Sequence, residues 1–165
     1  MRELSLHILD IVTNSIEADS TRVIVCICQS RQRNLLTIKI RDDGKGMSKE
    51  FLQKVLDPFV TTRTTRSVGL GLSLFRQAAQ QAGGHFDIQS ELGKGTTITA
   101  GFQLNNLNRA PLGDIANTMV NLMISNVDIH FKILFTTEEN RFCFDSFWIF
   151  ARMSEQNTSL YEMTI

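Results

Sequence analysis

Apolar residues recur with a helical period at the start of the chain. Leu4, Ile8, Ile11 and Ser15 fall on one stripe flanked by Leu6, Leu9 and Ile16, which predicts a helix over residues 3–18. His7, Asp10, Asn14 and Glu17 follow at i, i+3, i+7 and i+10, so these four polar groups share a face. The period then changes to two. Residues 23–28 and 35–41 read as strands, the second with Leu36, Ile38 and Ile40 alternating cleanly. Ser48 is placed to cap a short helix running to about residue 57. A longer helix is expected from about residue 70 to 82, stopping at Gly83-Gly84. Residues 85–90 and 96–104 then form a hairpin around Leu92-Gly93-Lys94-Gly95.

A polar stretch at 105–109 before Pro111 reads as a linker of about 105–111, separating a unit over 1–104 from a small extension over 105–165. In that extension, Leu112, Ile115, Met119, Leu122 and Met123 have helical spacing. Ile129, Phe131, Ile133 and Phe135 alternate, and Phe142 and Phe144 suggest a returning strand. Six of the eleven phenylalanines lie between positions 131 and 150, so the extension carries an apolar face, expected to pack in the core.

Composition narrows the function classes. The chain has 165 residues, with 17 Lys+Arg against 17 Asp+Glu, leaving no basic excess for generic nucleic-acid binding. The longest apolar run, at 23–28, is far short of the roughly 18 residues a membrane helix needs. Glu3, His7 and Asp10 interrupt the first apolar stretch, which excludes a signal-peptide reading of it. Three cysteines are too few for a disulfide framework; Cys26, Cys28 and Cys143 are expected to be buried small hydrophobes, and His85 and His130 structural. These features fit a soluble, cytoplasmic protein.

Three clusters carry the candidate chemistry, and their order matters more than any one of them. The first is Asp10-x-x-x-Asn14 on the opening helix; Asn14 offers a neutral oxygen suited to Mg²⁺, and Asp10, one turn back, a carboxylate able to accept a proton. The second is Asp42-Asp43-Gly44-Lys45-Gly46 at a strand end. There an acceptor-only carboxylate can take a hydrogen bond from an exocyclic amine, and glycines permit close approach to a flat base. The third is Gly69-Leu70-Gly71 at a helix start, with free N–H groups suited to phosphates, followed by Gly93-Lys94-Gly95-Thr96. Singly, each has a plain alternative: a solvated helix face, a turn, a loop. No Walker A pattern is present.

In this order, residues 1–104 resemble the ATP-binding module of the GHKL superfamily, which joins gyrase-type ATPases, histidine kinases and MutL. The segment 9–18 (Leu-Asp-Ile-Val-Thr-Asn-Ser-Ile-Glu-Ala) is similar to its N box and 41–47 to its G1 box. Residues 57–63 are similar to the F box and lid start of histidine kinases, 68–73 to the G2 box, and 93–97 to the late Gly-x-Gly-Thr segment. The resemblance implies an α+β two-layer sandwich, the Bergerat fold, with a mixed sheet covered by helices on one face. It also implies Mg-ATP as ligand. Carried over by position, Asn14 would bind Mg²⁺, Asp42 would recognise the adenine amine, and Gly44, Gly46 and Met47 would line the base. Gly69 and Gly71 would contact phosphates, and Thr96 would join the adenine hydrogen-bond network. Thr62, Arg63 and Arg66 would belong to a short lid.

The acid at position 10 resembles the anti-sigma-factor-type serine kinases and the gyrase or MutL ATPases more than histidine kinases, which commonly carry Asn or His there. It is Asp where those relatives have Glu, shorter by one methylene. No helix with a phosphoacceptor histidine precedes the N-box segment, and His7 lies at the site edge. The expectation is therefore a stand-alone protein kinase that transfers the ATP γ-phosphate to a separate partner protein, with Asp10 as base. A nucleotide-gated interaction module with slow or no hydrolysis is the alternative, and a simple ATPase a weaker one.

Overall fold

The computed structural model describes residues 3–56, 70–148 and 152. Chain order gives α1 (Leu4–Glu17), β1 (Arg22–Ser30), β2 (Leu35–Asp42), α2 (Lys49–Leu56), α3 (Leu70–Gln81), β3 (Phe86–Glu91) and β4 (Gly95–Gln103). Then follow α4 (Ile115–Ser125), β5 (His130–Thr136) and β6 (Arg141–Asp145). The strands form one six-stranded sheet in the order β3-β4-β2-β1-β5-β6. Every pairing is antiparallel except β1 with β5, which makes the sheet mixed.

Strand alternation sets the layers. Val23, Val25 and Ile27 of β1, with Leu36, Ile38 and Ile40 of β2, are buried, and so are Ile98, Ala100, Phe102, Phe131 and Ile133 on the neighbouring strands. Against them lie Leu4, Ile8, Ile11 and Val12 of α1, Leu72, Phe75 and Ala79 of α3, and Met119, Leu122 and Met123 of α4. The other face of the sheet carries exposed Arg22, Lys39 and Arg41. This is an α+β sandwich of the Bergerat type, helices on one face of a mixed sheet.

The same alternation corrects the reading of the cysteines. With Val25 and Ile27 turned inward, Cys26 and Cys28 must turn outward; Cys26 is half-buried, and Cys28 and Cys143 are exposed. None of them is a core residue.

The segment after residue 104 is tied to the first helix by backbone bonds that no sequence pattern announces. Glu3, at the N-cap of α1, makes no side-chain capping bond. Instead the carbonyls of Pro111 and Leu112 accept from the N–H groups of Leu4 and Ser5, each at 2.9 Å. Asp114 then caps α4 by accepting from the Asn117 N–H at 2.9 Å, and β5 continues the sheet alongside β1.

Candidate functional site

A cavity of about 530 Å³ opens between α1, the loop after β2, and the β3–β4 hairpin. Asn14, Asp42, Gly46, Met47 and Thr96 line it, together with apolar Ile11, Phe51, Leu72 and Ile98. Its size is that of a small-molecule site.

Asp42 ends β2 and is only 7% exposed. Its Oδ1 accepts from the N–H of Gly44 at 3.0 Å and of Thr96 at 3.1 Å. Its Oδ2 accepts from the Ser15 hydroxyl of α1 at 2.8 Å. Three donors from three parts of the chain therefore fix one carboxylate. A carboxylate offers about two acceptor positions per oxygen, so Oδ1 is filled and Oδ2 keeps one.

The adjacent Asp43 does different work. It is exposed and accepts from the N–H groups of Thr21 and Arg22 and from the Thr21 hydroxyl, closing the start of β1. Against the cost of its partial burial, these bonds hold its carboxyl below the usual range.

The loop between β2 and α2 is stitched on both sides. Lys45 N–H donates to the Ala18 carbonyl at 2.9 Å, and Gly93 N–H to the Lys45 carbonyl at 2.8 Å. Met47 N–H donates to the Ser90 hydroxyl at 2.8 Å, and that hydroxyl also lies 2.9 Å from Thr96 Oγ1. Gly46 has φ +64°, and a Cβ there would run into the Glu91 carbonyl, so only glycine lets the loop lie this close to the hairpin. Gly44 is buried below the loop, where a side chain would strike Ser20 and Ala18.

Asp10 does not line the cavity. It lies one turn before Asn14 and packs against Gly71 at the start of α3, where a Cβ would come 3.2 Å from the Asp10 Cβ. Burial raises its carboxyl pKa. His7, one further turn back, is not at the site edge either. It is 2% exposed and stacked on Phe75 with ring centroids 5.3 Å apart, and burial depresses its pKa to about 4. His7, Asp10 and Asn14 share a face of α1, but α3 covers the first two of these turns. Thr62, Arg63, Arg66 and Gly69 lie outside the described residues.

Two residues that sequence reasoning missed belong to this arrangement. Ser15 sits on the apolar stripe of α1, and a hydroxyl on a buried stripe needs a partner, which is the available signal. Ser90 carries no such signal, because its strand position is half-buried.

The surroundings of the cavity match known proteins over the same stretch. Residues 2–106 match the family described as histidine kinase-, DNA gyrase B-, and HSP90-like ATPase. A putative sensor protein of Shewanella frigidimarina is 34% identical over 105 residues, 62% of this chain and 16% of that protein. The sensor histidine kinase ZraS of Escherichia coli strain K12 is 28% identical over 110 residues, 67% of this chain and 23% of its own length. The chain thus spans less than a quarter of these curated relatives. Among solved structures, the N-terminal domain of a DNA repair protein superposes with a TM-score of 0.57 at 15% identity, over 87% of this chain and 52% of that one; the likeness is one of fold. The matched stretch takes in α1, the strand-end carboxylate and the hairpin that closes the cavity, and the chain belongs to the histidine kinase-, DNA gyrase B- and HSP90-like ATPase family, with residues 2–106 as its ATP-binding domain.

Proposed function

We propose that the cavity takes the adenine of ATP and that this domain acts as a protein kinase of the histidine-kinase-like group, passing the γ-phosphate to a partner protein. ATP as phosphate donor implies the cytoplasm as its compartment. The observation that carries the reading is the Asp42 carboxylate, pinned by Gly44, Thr96 and Ser15 and keeping one acceptor position on Oδ2. An adenine amine donates there, whereas the guanine oxygen in its place would set acceptor against acceptor. Ile11, Met47, Leu72 and Ile98 supply apolar walls for the ring, and Gly44, Gly46 and Thr96 hold the loop and hairpin beside it.

Asn14 lines the same cavity with a neutral oxygen donor. Among the described residues no three His, Cys, Asp or Glu side chains gather into a metal cage, so the donor set suits a hydrated Mg²⁺ that draws its other ligands from phosphates. When bound, Mg²⁺ offsets the charge of those phosphates. By resemblance to the family, Gly69 and Gly71 at the start of α3 would meet the phosphates with backbone N–H groups, and Thr62 and Arg63 would reach them from the lid. Asp10, its pKa raised by burial, would accept the proton of the attacking hydroxyl. That oxygen bonds to the γ-phosphorus as the bond to the β–γ bridging oxygen breaks, with ADP leaving.

The position of Asp10 also favours a second reading. Its side chain rests on Gly71 and lines no part of the cavity, as suits a nucleotide-gated interaction module with slow or no turnover. Phosphotransfer from labelled ATP to candidate partner proteins separates the two. For a kinase, Asp10→Asn is expected to cut transfer by about 10²-fold or more while leaving ATP affinity nearly unchanged. Wild-type chain that binds ATP and transfers nothing, with partner binding that follows the nucleotide, selects the gated module.

A further inference from the structure

We propose that the chain pairs with a second copy of itself through the edge of β6 that no other strand of the described residues pairs with, antiparallel, about a two-fold axis at Cys143. β6 is the last strand of the sheet, and its sequence is Arg141-Phe142-Cys143-Phe144-Asp145. Turned end for end about Cys143, this strand is complementary to itself. Arg141 falls opposite Asp145 of the second copy, Phe142 opposite Phe144, and Cys143 opposite Cys143. The symmetry of such an interface repeats each unlike pair twice.

The two faces of the strand agree with this pairing. Register with β5 sets Phe142 opposite Phe135 and Phe144 opposite Ile133, on the helix-covered side. There an apolar groove of about 440 Å³, bounded by Met119 and Val120 of α4, runs out to the strand edge. Phe142 is 58% exposed at that edge. On the opposite side, Arg141 and Cys143 are exposed. Asp145 receives His130 Nε2 on Oδ1 at 2.6 Å, while its Oδ2 has Lys132 only at 3.8 Å. Among the described residues that second oxygen has no hydrogen-bond partner, and a guanidinium is a partner it can accept from.

The far edge of the sheet gives the comparison. β3 reads Phe-Asp-Ile-Gln-Ser-Glu, with two acids and no base. Two copies of β3 paired in this way would carry only acids, a common device against edge-to-edge association. β6 has no such device. Its charges are of opposite sign and symmetrically placed, so the occupant it fits is another β6.

Sedimentation equilibrium of the full chain under reducing conditions should show a concentration-dependent dimer at twice the 18.7 kDa chain mass. Arg141→Asp sets acid against acid at both ends of the paired strands and should raise the dimer dissociation constant about tenfold, with an unchanged circular dichroism spectrum. Because that variant could misfold, a second readout uses chains keeping one cysteine. Across an antiparallel pair, opposite Cα atoms lie about 4.5–5.5 Å apart, within disulfide reach. With the two-electron oxidant diamide, two Cys143 thiols give up two protons and two electrons to form one S–S bond, and the diamide becomes the hydrazine. A chain keeping only Cys143 should cross-link, and one keeping only Cys28 should not. A monomer at all concentrations, a dimer indifferent to Arg141→Asp in a folded variant, or equal cross-linking through Cys28 overturns the proposal.

Discussion

Ser15 and Asp42 are 27 residues apart in sequence and 2.8 Å apart at their hydroxyl and carboxylate. The hydroxyl leaves Oδ2 one open acceptor position and fixes where it lies, so Ser15→Ala should weaken ATP binding about tenfold and narrow the preference for ATP over GTP, read by calorimetric titration. An unchanged preference would remove Ser15 from base recognition. His7 makes a separate prediction. Its Nδ1 is buried with no hydrogen-bond partner among the described residues, and its folded pKa of about 4 lies below the ordinary 6.5. As pH falls through 6.5 the unfolded chain takes up the proton first, so the His7 contribution is full above that pH and is lost down to about 4, at most about 3 kcal/mol. His7→Leu should flatten this acid limb in urea unfolding curves recorded from pH 7 to 4. At this scale Asp42 was legible, because a carboxylate at a strand end beside glycines is a local signal. Ser15 and Ser90 were not, because what they bond to is set by pairing distant in sequence.

Among the elements, apolar periodicity located α1, β1, β2, α4, β5 and β6, while the Ser48 cap and the glycine turns placed α2, the end of α3 and the β3–β4 hairpin. The cover over α1 could not be read this way. A helical face drawn from spacing alone groups His7 with Asn14, and only the packing of α3, with Phe75 over His7 and Gly71 against Asp10, separates the buried turns from the open one. The capping of α1 by the carbonyls of Pro111 and Leu112 was equally invisible, because backbone acceptors leave no residue signature. It makes the later segment part of the stability of the first helix. Cutting the chain after residue 104 removes those caps, the β5 neighbour of β1 and the α4 cover, and should lower the urea midpoint markedly, since each side chain uncovered costs about 1.5–3 kcal/mol. An unchanged midpoint would mean that α1 needs neither.

For the molecule as a whole, the helix-covered side of the sheet holds both the proposed nucleotide cavity, lined from α1, α2 and α3, and the apolar groove, lined from α4. The fold and the ATP-binding family were legible because the clusters at 10–14, 42–46 and 93–96 stand in fixed order, and the sheet brings Asp42 and Thr96 within one hydrogen bond. Partner and reaction were not legible, since those depend on surfaces that no motif encodes. The most direct measurement is a crystal structure of the full chain with Mg²⁺ and a non-hydrolysable ATP analogue. The adenine amine is expected about 2.9 Å from Asp42 Oδ2, with Asn14 beside the phosphates. A nucleotide bound elsewhere, or a base turned away from Asp42, would contradict it.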